Sequence, residues 1–223
     1  MQILICAKLV RKGYYMSRYT GPKERISRAL GLNLFLKGKR YEAGKSAFHK
    51  GRGRPGQHGQ NRIKMSEYGL RLKEKQKLRF LYGMSEKQFR SYYEAANQSK
   101  GSTDERFLQL LETRLDNVVY RLKFATTRAQ ARQFVGHGHI MVNGKKVDIA
   151  SYHVKANDKI EVLESSKTFV RNAVEGFVGE VVPEWLTADT ENLKGEVVRI
   201  PLNDQIDTGK LIQVNLIIEF YSK

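Results

Sequence analysis

Arg114–Val162, RLDNVVYRLKFATTRAQARQFVGHGHIMVNGKKVDIASYHVKANDKIEV, reads as a helix pair followed by short antiparallel strands. Leu115, Val118, Val119 and Leu122 prolong a stripe begun by Leu108 and Leu111, so the spacing predicts one amphipathic helix over Asp104–Phe124 with that stripe in the core. Thr127 is placed to cap a second helix, RAQARQFV, and Gly136-His137-Gly138 to stop it. In HIMVNGKKVDI, alternating apolar residues flank Asn143-Gly144, residue types that tolerate the positive φ of a two-residue hairpin turn. Val154 and then KANDKIEV supply a further turn and strand. These elements make a compact α+β unit over residues 111–163.

Upstream, Ser66 and Ser85 are placed to cap helices over 66–83 and 85–97, the second with Phe89, Tyr92, Tyr93 and Ala96 as its apolar face. A short helix falls within 19–36, and the Gly-punctuated segment 37–60 has no usable periodicity. Downstream, 165–176 reads as helix, Trp185 as a loop anchor, and 196–200 and 211–220 as strands. The fold class expected is α+β: a helical N-terminal domain with a basic irregular loop region, then a second α+β domain. The division expected is an extension over 1–15, a first domain over 16–104, a second over 105–218 and a tail over 219–223.

Charge is unevenly spread. Residues 1–64 hold sixteen Lys/Arg against two acids, so fourteen of the chain's seventeen net positive charges lie there. Residues 161–223 instead carry a net −5. A basic run interleaved with Gly, His, Asn and Gln lets backbone and side chains approach phosphates together, the composition of a nucleic-acid contact surface. The candidate contacts in the first half are Arg18, Lys23, Arg25, Arg28, Lys37, Lys39, Arg40, Lys45, Lys50, Arg52, Arg54, His58, Arg62, Lys64, Arg71, Lys73 and Lys75. In the helix pair and hairpin they are Arg114, Asn117, Arg121, Arg128, Arg132, His137, Asn143, Lys145 and Lys146. Few acids answer the helix-pair arginines, which points them at a polyanion; Asp116 is read as an ion-pair partner.

Other chemistries find little support. GRGRPG at Gly51–Gly56 matches the dinucleotide pattern formally, but no buried strand precedes it and Pro55 breaks the needed context. His137, His139 and His153 lack the Cys, Asp or Glu that would complete a metal site. No nucleophile motif or paired carboxylate suggests catalysis. Cys6 is the single cysteine, so no disulfide framework is expected, and no metal or cofactor either. No apolar run reaches about 18 residues, so no spanning helix is expected. MQILICAKLV lacks the flanks of a signal peptide.

The run Arg114–Val162 resembles the RNA-binding module named after the small-subunit ribosomal protein S-four family. MSRYTGPK at Met16, RPGQHG at Arg54, YGLRLKEKQKLRFLYG at Tyr68, QFRSYYEAA at Gln88, WLTAD at Trp185 and the ending IIEFYSK resemble the bacterial or organellar members of that family. The resemblance implies a non-enzymatic primary binder of small-subunit ribosomal RNA that starts assembly of the subunit body. Within the chain it implies that 111–176 is an RNA-binding core and that the tail returns to the first domain. It also implies neighbouring small-subunit proteins as partners, a place where messenger RNA enters, a part in translational accuracy, and in some members repression of their own messenger. For messenger contact Arg40, Lys45, Lys50, Arg52 and Arg54 are the choices. Some members carry a four-cysteine zinc site; residues 16–223 contain no cysteine, so none is expected here. Membrane and small-molecule partners are not expected, and the location implied is the ribosome of a bacterial cytoplasm or an organelle. The rival readings are a regulator acting off the ribosome and an RNA-modifying enzyme that carries the same module.

Overall fold

The computed structural model describes residues 19–61, 64–177 and 181–222; the extension expected over 1–15 lies outside them. Helix α1 (Lys23–Leu30) ends at Gly31, whose φ of 68° closes the last turn. The segment expected to be irregular holds a short helix, α2 (Gly38–Glu42), before a series of turns. Gly38 is required by packing: a Cβ there would collide with the carbonyl oxygen of Thr126. Helices α3 (Glu67–Leu81) and α4 (Glu86–Asn97) start as expected, with the Ser66 and Ser85 hydroxyls accepting from Gly69 N–H at 3.2 Å and Gln88 N–H at 3.4 Å.

The single helix expected over 104–124 is two. α5 (Thr103–Glu112) stops and α6 (Leu115–Arg121) starts anew because Arg114 runs extended and bridges to His153. Leu115 N–H donates to the Tyr152 carbonyl at 2.8 Å and Val154 N–H to that of Thr113 at 3.0 Å, so backbone pairing replaces helical bonds. α7 (Arg128–Gly136) follows, capped by the Thr127 hydroxyl and ended by Gly138 in left-handed conformation.

Strands β1 (Ile140–Val142) and β2 (Lys145–Lys146) form the expected hairpin, with φ of 50° at Asn143 and 75° at Gly144. With β3 (Lys159–Val162), helix α8 (Lys167–Val174), β4 (Leu186–Asp189) and β5 (Lys194–Val197), they complete an antiparallel five-stranded sheet of order β2-β1-β3-β5-β4. Gly195 on β5 lies under Leu122, whose terminal carbons would be 2.6 and 2.7 Å from an added Cβ. Trp185, fully buried, anchors the entrance to β4.

The tail departs from expectation. Residues 211–220, expected as a strand, contain the end of α9 (Asp207–Leu211) and most of a helix, α10 (Val214–Ser222). Val214, Ile217, Ile218 and Tyr221 recur at helical spacing and pack into the core built by α3 and α4. Buried apolar residues form two clusters. One joins Leu34, the α3–α4 pair, α5 and the tail from Ile206 onward; the other joins α6, α7, the sheet and Val170. Thus α5, expected to open the second unit, buries Phe107, Leu108 and Leu111 in the first cluster.

Candidate nucleic-acid interface

The basic segment is held in shape by its own arginines. Arg28 Nε donates to the Gly53 carbonyl at 3.0 Å. Arg54 reaches the carbonyls of Gly59 at 3.3 Å and Asn61 at 2.6 Å. Arg40 pairs with Glu24 at 2.9 Å and donates to the Lys45 carbonyl at 3.3 Å. Tyr41 and Phe48 are half-buried; the Tyr41 ring packs on Phe35 and His49. Around this frame Arg25, Lys37, Lys39, Lys45, Lys50, Arg52, His58 and Lys64 stand exposed, and Lys23 is half-buried. Among the described residues, the lysines at 37, 39, 45 and 50 and Arg52 are in no ion pair, so their charge is free to attract phosphate. Arg18 and Arg62 lie outside the described residues.

A second exposed cationic surface is the β1–β2 hairpin. Lys145 and Lys146 are exposed, and the Lys146 side chain lies against Gly138, where no Cβ obstructs it. His137 is exposed beside them at the end of α7. Asn143 ties the hairpin to β3, for its amide donates to Asp158 Oδ1 at 2.8 Å and accepts from Lys159 N–H at 2.9 Å.

The third set of expected contacts turns inward. Arg114, Asn117, Arg121 and Arg128 are buried, so the expectation that they face a polyanion does not fit their position. Glu112 accepts from Tyr82 Oη at 2.6 Å, Asn117 Nδ2 at 2.6 Å and Arg121 Nη2 at 3.0 Å. Arg128 donates to Asn117 Oδ1 at 2.8 Å, its guanidinium over the Tyr120 ring at 4.5 Å. Asp116 takes Arg114 at 2.8 Å and Arg132 at 2.6 Å, as read from the sequence, and half-buried Arg132 also reaches the carbonyls of Tyr82 and Gly83. Two carboxylates thereby pair with three guanidiniums, with Arg128 joined to them through Asn117, and tie the α6–α7 pair to the helical body. Burial pushes the Glu112 carboxyl up, but the Arg121 and Arg128 charges more than reverse this and hold it at about 2. Asp116 is also held below its ordinary value: burial acts upward, outweighed by Arg114 and Arg132.

On α3, Lys75 is likewise buried, paired with Glu86 at 2.7 Å and set over the Phe220 ring at 4.7 Å, so it joins α3 to α4 and α10 and is not available to RNA. Arg71 pairs with Glu67 at 3.1 Å and Glu219 at 2.6 Å, and Lys73 is half-buried.

Two kinds of comparison bear on what these surfaces serve. A family model described as "Ribosomal protein S4/S9 N-terminal domain" matches residues 18–112, and one described as "S4 domain" matches 113–160. The small ribosomal subunit protein uS4 of Dictyoglomus turgidum is 51% identical over 208 residues, covering 93% of this chain and 100% of its own length. Those of Gloeobacter violaceus and Natranaerobius thermophilus are 51% and 52% identical with the same coverage. The chain belongs to the uS4 family.

As a uS4 protein it carries its exposed cations on both matched regions: the braced segment lies in the first and the hairpin in the second. Sequence reading passed over Lys155 and Lys159, exposed beside Asn143; the alternation in KIEV, which turns Lys159 and Glu161 away from buried Ile160 and Val162, was the available signal. Two cavities, one lined by Glu24, Asn33 and Tyr41 and one by Tyr120, Lys123 and Phe177, hold about 20 and 10 Å³, room for a water each. Among the described residues no helix is long and apolar enough to cross a membrane.

Proposed function

We propose that this chain is a structural constituent of the small ribosomal subunit that binds its ribosomal RNA through two cationic surfaces, the braced segment 37–61 and the hairpin at Lys145-Lys146. It is a structural protein, not an enzyme. The observation that carries the reading is the row of exposed cations at 37, 39, 45, 50 and 52, uncompensated by acids and mounted on a segment whose turns are held by Arg28, Arg40 and Arg54. Such contacts follow backbone shape more than base identity. Arg25, His58, Lys64 and His137 extend the two surfaces, with Lys23 and Lys73 at their edges.

Early binding that starts assembly of the subunit body is part of the same proposal, since two surfaces on one clasped molecule can hold two RNA segments together. Arg40, Lys45, Lys50, Arg52 and Arg54 are proposed to grip messenger RNA where it enters and so to influence accuracy; repression of its own messenger would use the same cations. For neighbouring ribosomal proteins the net −5 over residues 161–223, with Val198, Ile200 and Leu202 exposed, supports a docking face there. The relatives are bacterial, which supports a ribosome in a bacterial cytoplasm.

The test is a salt titration of binding to small-subunit ribosomal RNA. The apparent affinity should fall with a log–log slope of roughly −0.7 to −0.9 per phosphate neutralised. Replacing the cations at 37, 39, 45, 50 and 52 by Gln should make that slope shallower by several such increments. A flat response of the unmodified chain to salt would overturn the reading.

A further inference from the structure

Phe169 on α8 is 55% exposed, a large apolar ring left in solvent. It is not loose: Phe134, buried beneath it, meets it edge-on with centroids 5.6 Å apart, and His139 lies beside it at 5.7 Å. His139 is fixed in turn by the Ser166 hydroxyl at 2.9 Å. Burial, then the nearby charges of His137 and Lys146, hold the His139 pKa below its ordinary value, so near neutral pH its ring is an uncharged flat surface. Lys146, exposed on the hairpin, stands on the His139 side of the group; Arg171 and Lys167, two residues to either side of Phe169 on α8, project from the opposite face of the helix, the latter paired with Glu164 at 2.6 Å. The acids nearby are Glu164, already paired, and Glu191, whose carbonyl takes Arg171 at 2.6 Å.

An exposed aromatic ring, held from beneath and set beside a cationic hairpin, is an arrangement that receives an unpaired nucleotide: the base stacks and the hairpin cation takes its phosphate. We propose that Phe169, buttressed by Phe134 and His139, is a stacking platform for one unpaired base of the RNA that the Lys145-Lys146 hairpin engages. This rests on the RNA-binding reading above and adds to it a contact that depends on a ring and not on charge.

The test uses the full chain and small-subunit ribosomal RNA as the probe, with Phe169→Ala, Phe169→Leu and Phe169→Trp. Because the ring is exposed, all three should fold with an unchanged melting temperature. Loss of one stacked base should weaken binding by roughly 5- to 100-fold in the Ala and Leu variants, and the slope against salt should not change, since stacking releases no counterions. Phe169→Trp should keep its affinity, and RNA should quench its emission beyond any change in the unmodified chain, whose Trp185 is buried. Full affinity in Phe169→Ala, or an unquenched Phe169→Trp, overturns the proposal while RNA binding stands. Weakening in Ala but not in Leu overturns it too, because that pattern means apolar contact without stacking. No binding by the unmodified chain removes both readings.

Discussion

The Arg114 guanidinium holds the Asp116 carboxylate by two parallel bonds, Nε to Oδ1 at 3.0 Å and Nη2 to Oδ2 at 2.8 Å, with both side chains buried. A forked pair of this kind is among the stronger polar contacts a protein makes. Its place is structural: Arg114 Nη1 reaches Tyr92 Oη on α4 at 3.0 Å, and Asp116 also accepts from Arg132.

Asp116→Asn should therefore destabilise the chain by about 3–5 kcal/mol, because it strands two guanidiniums away from water. Urea unfolding checks it; a loss of less than about 1 kcal/mol would show that the clasp is dispensable.

Acid should loosen the same region in two steps. His153 is pushed down to about 4, first by burial and then by the Arg114 charge. Its folded-state value is depressed, so the stability it contributes is complete above its ordinary 6.5 and is lost as pH falls toward 4. Glu112 follows, with stability lost between its ordinary 4.5 and its folded value of about 2. Melting temperature against pH should fall through both windows, and His153→Asn should remove the upper one.

Lys145→Gln with Lys146→Gln should leave the melting temperature within about 1 °C, since exposed charges contribute little to stability. The slope of RNA affinity against salt should decrease by ~0.7–0.9 for each phosphate no longer neutralised. An unchanged slope would remove the hairpin from the interface.

Gly195→Ala should cost about 1–3 kcal/mol by driving a methyl into Leu122, with the RNA affinity per folded molecule preserved. Chemical denaturation beside a binding assay separates the two effects.

Ile217→Ala should cost about 2–5 kcal/mol, as for a fully buried residue in a core. A cost near zero would mean that α10 does not belong to the helical core.

The elements legible in the sequence are those decided locally. Ser66, Ser85 and Thr127 announce helix starts because a hydroxyl needs only an amide three residues on, and Asn143-Gly144 announces a hairpin through its own φ preferences. The helix break at Thr113 was hidden, because the strand-like partner that interrupts it comes from residues 150–154. Arg121 and Arg128 read as surface cations although their main acceptors, Glu112 and Asn117, are near in sequence, because the groups that enclose them, Tyr82 and Thr208 among others, come from remote parts of the chain. In α10, β-branched Val214, Ile217 and Ile218 favour an extended reading, and only the core built by α3 and α4 selects the helix. The exposed cations of 37–52 were legible because nothing had to be known beyond their sign and the scarcity of acids around them.

Gly38 lets the start of α2 press on the Thr126 carbonyl just ahead of α7, while Arg132 fastens α7 to the α3–α4 corner. The gap between the two cationic surfaces is thereby set by covalent and packed parts of the protein and not by whatever docks on them. On the proposed reading the molecule would work as a calliper: a transcript whose strands lie too close or too far apart would satisfy one jaw only, so spacing would be measured through the backbone.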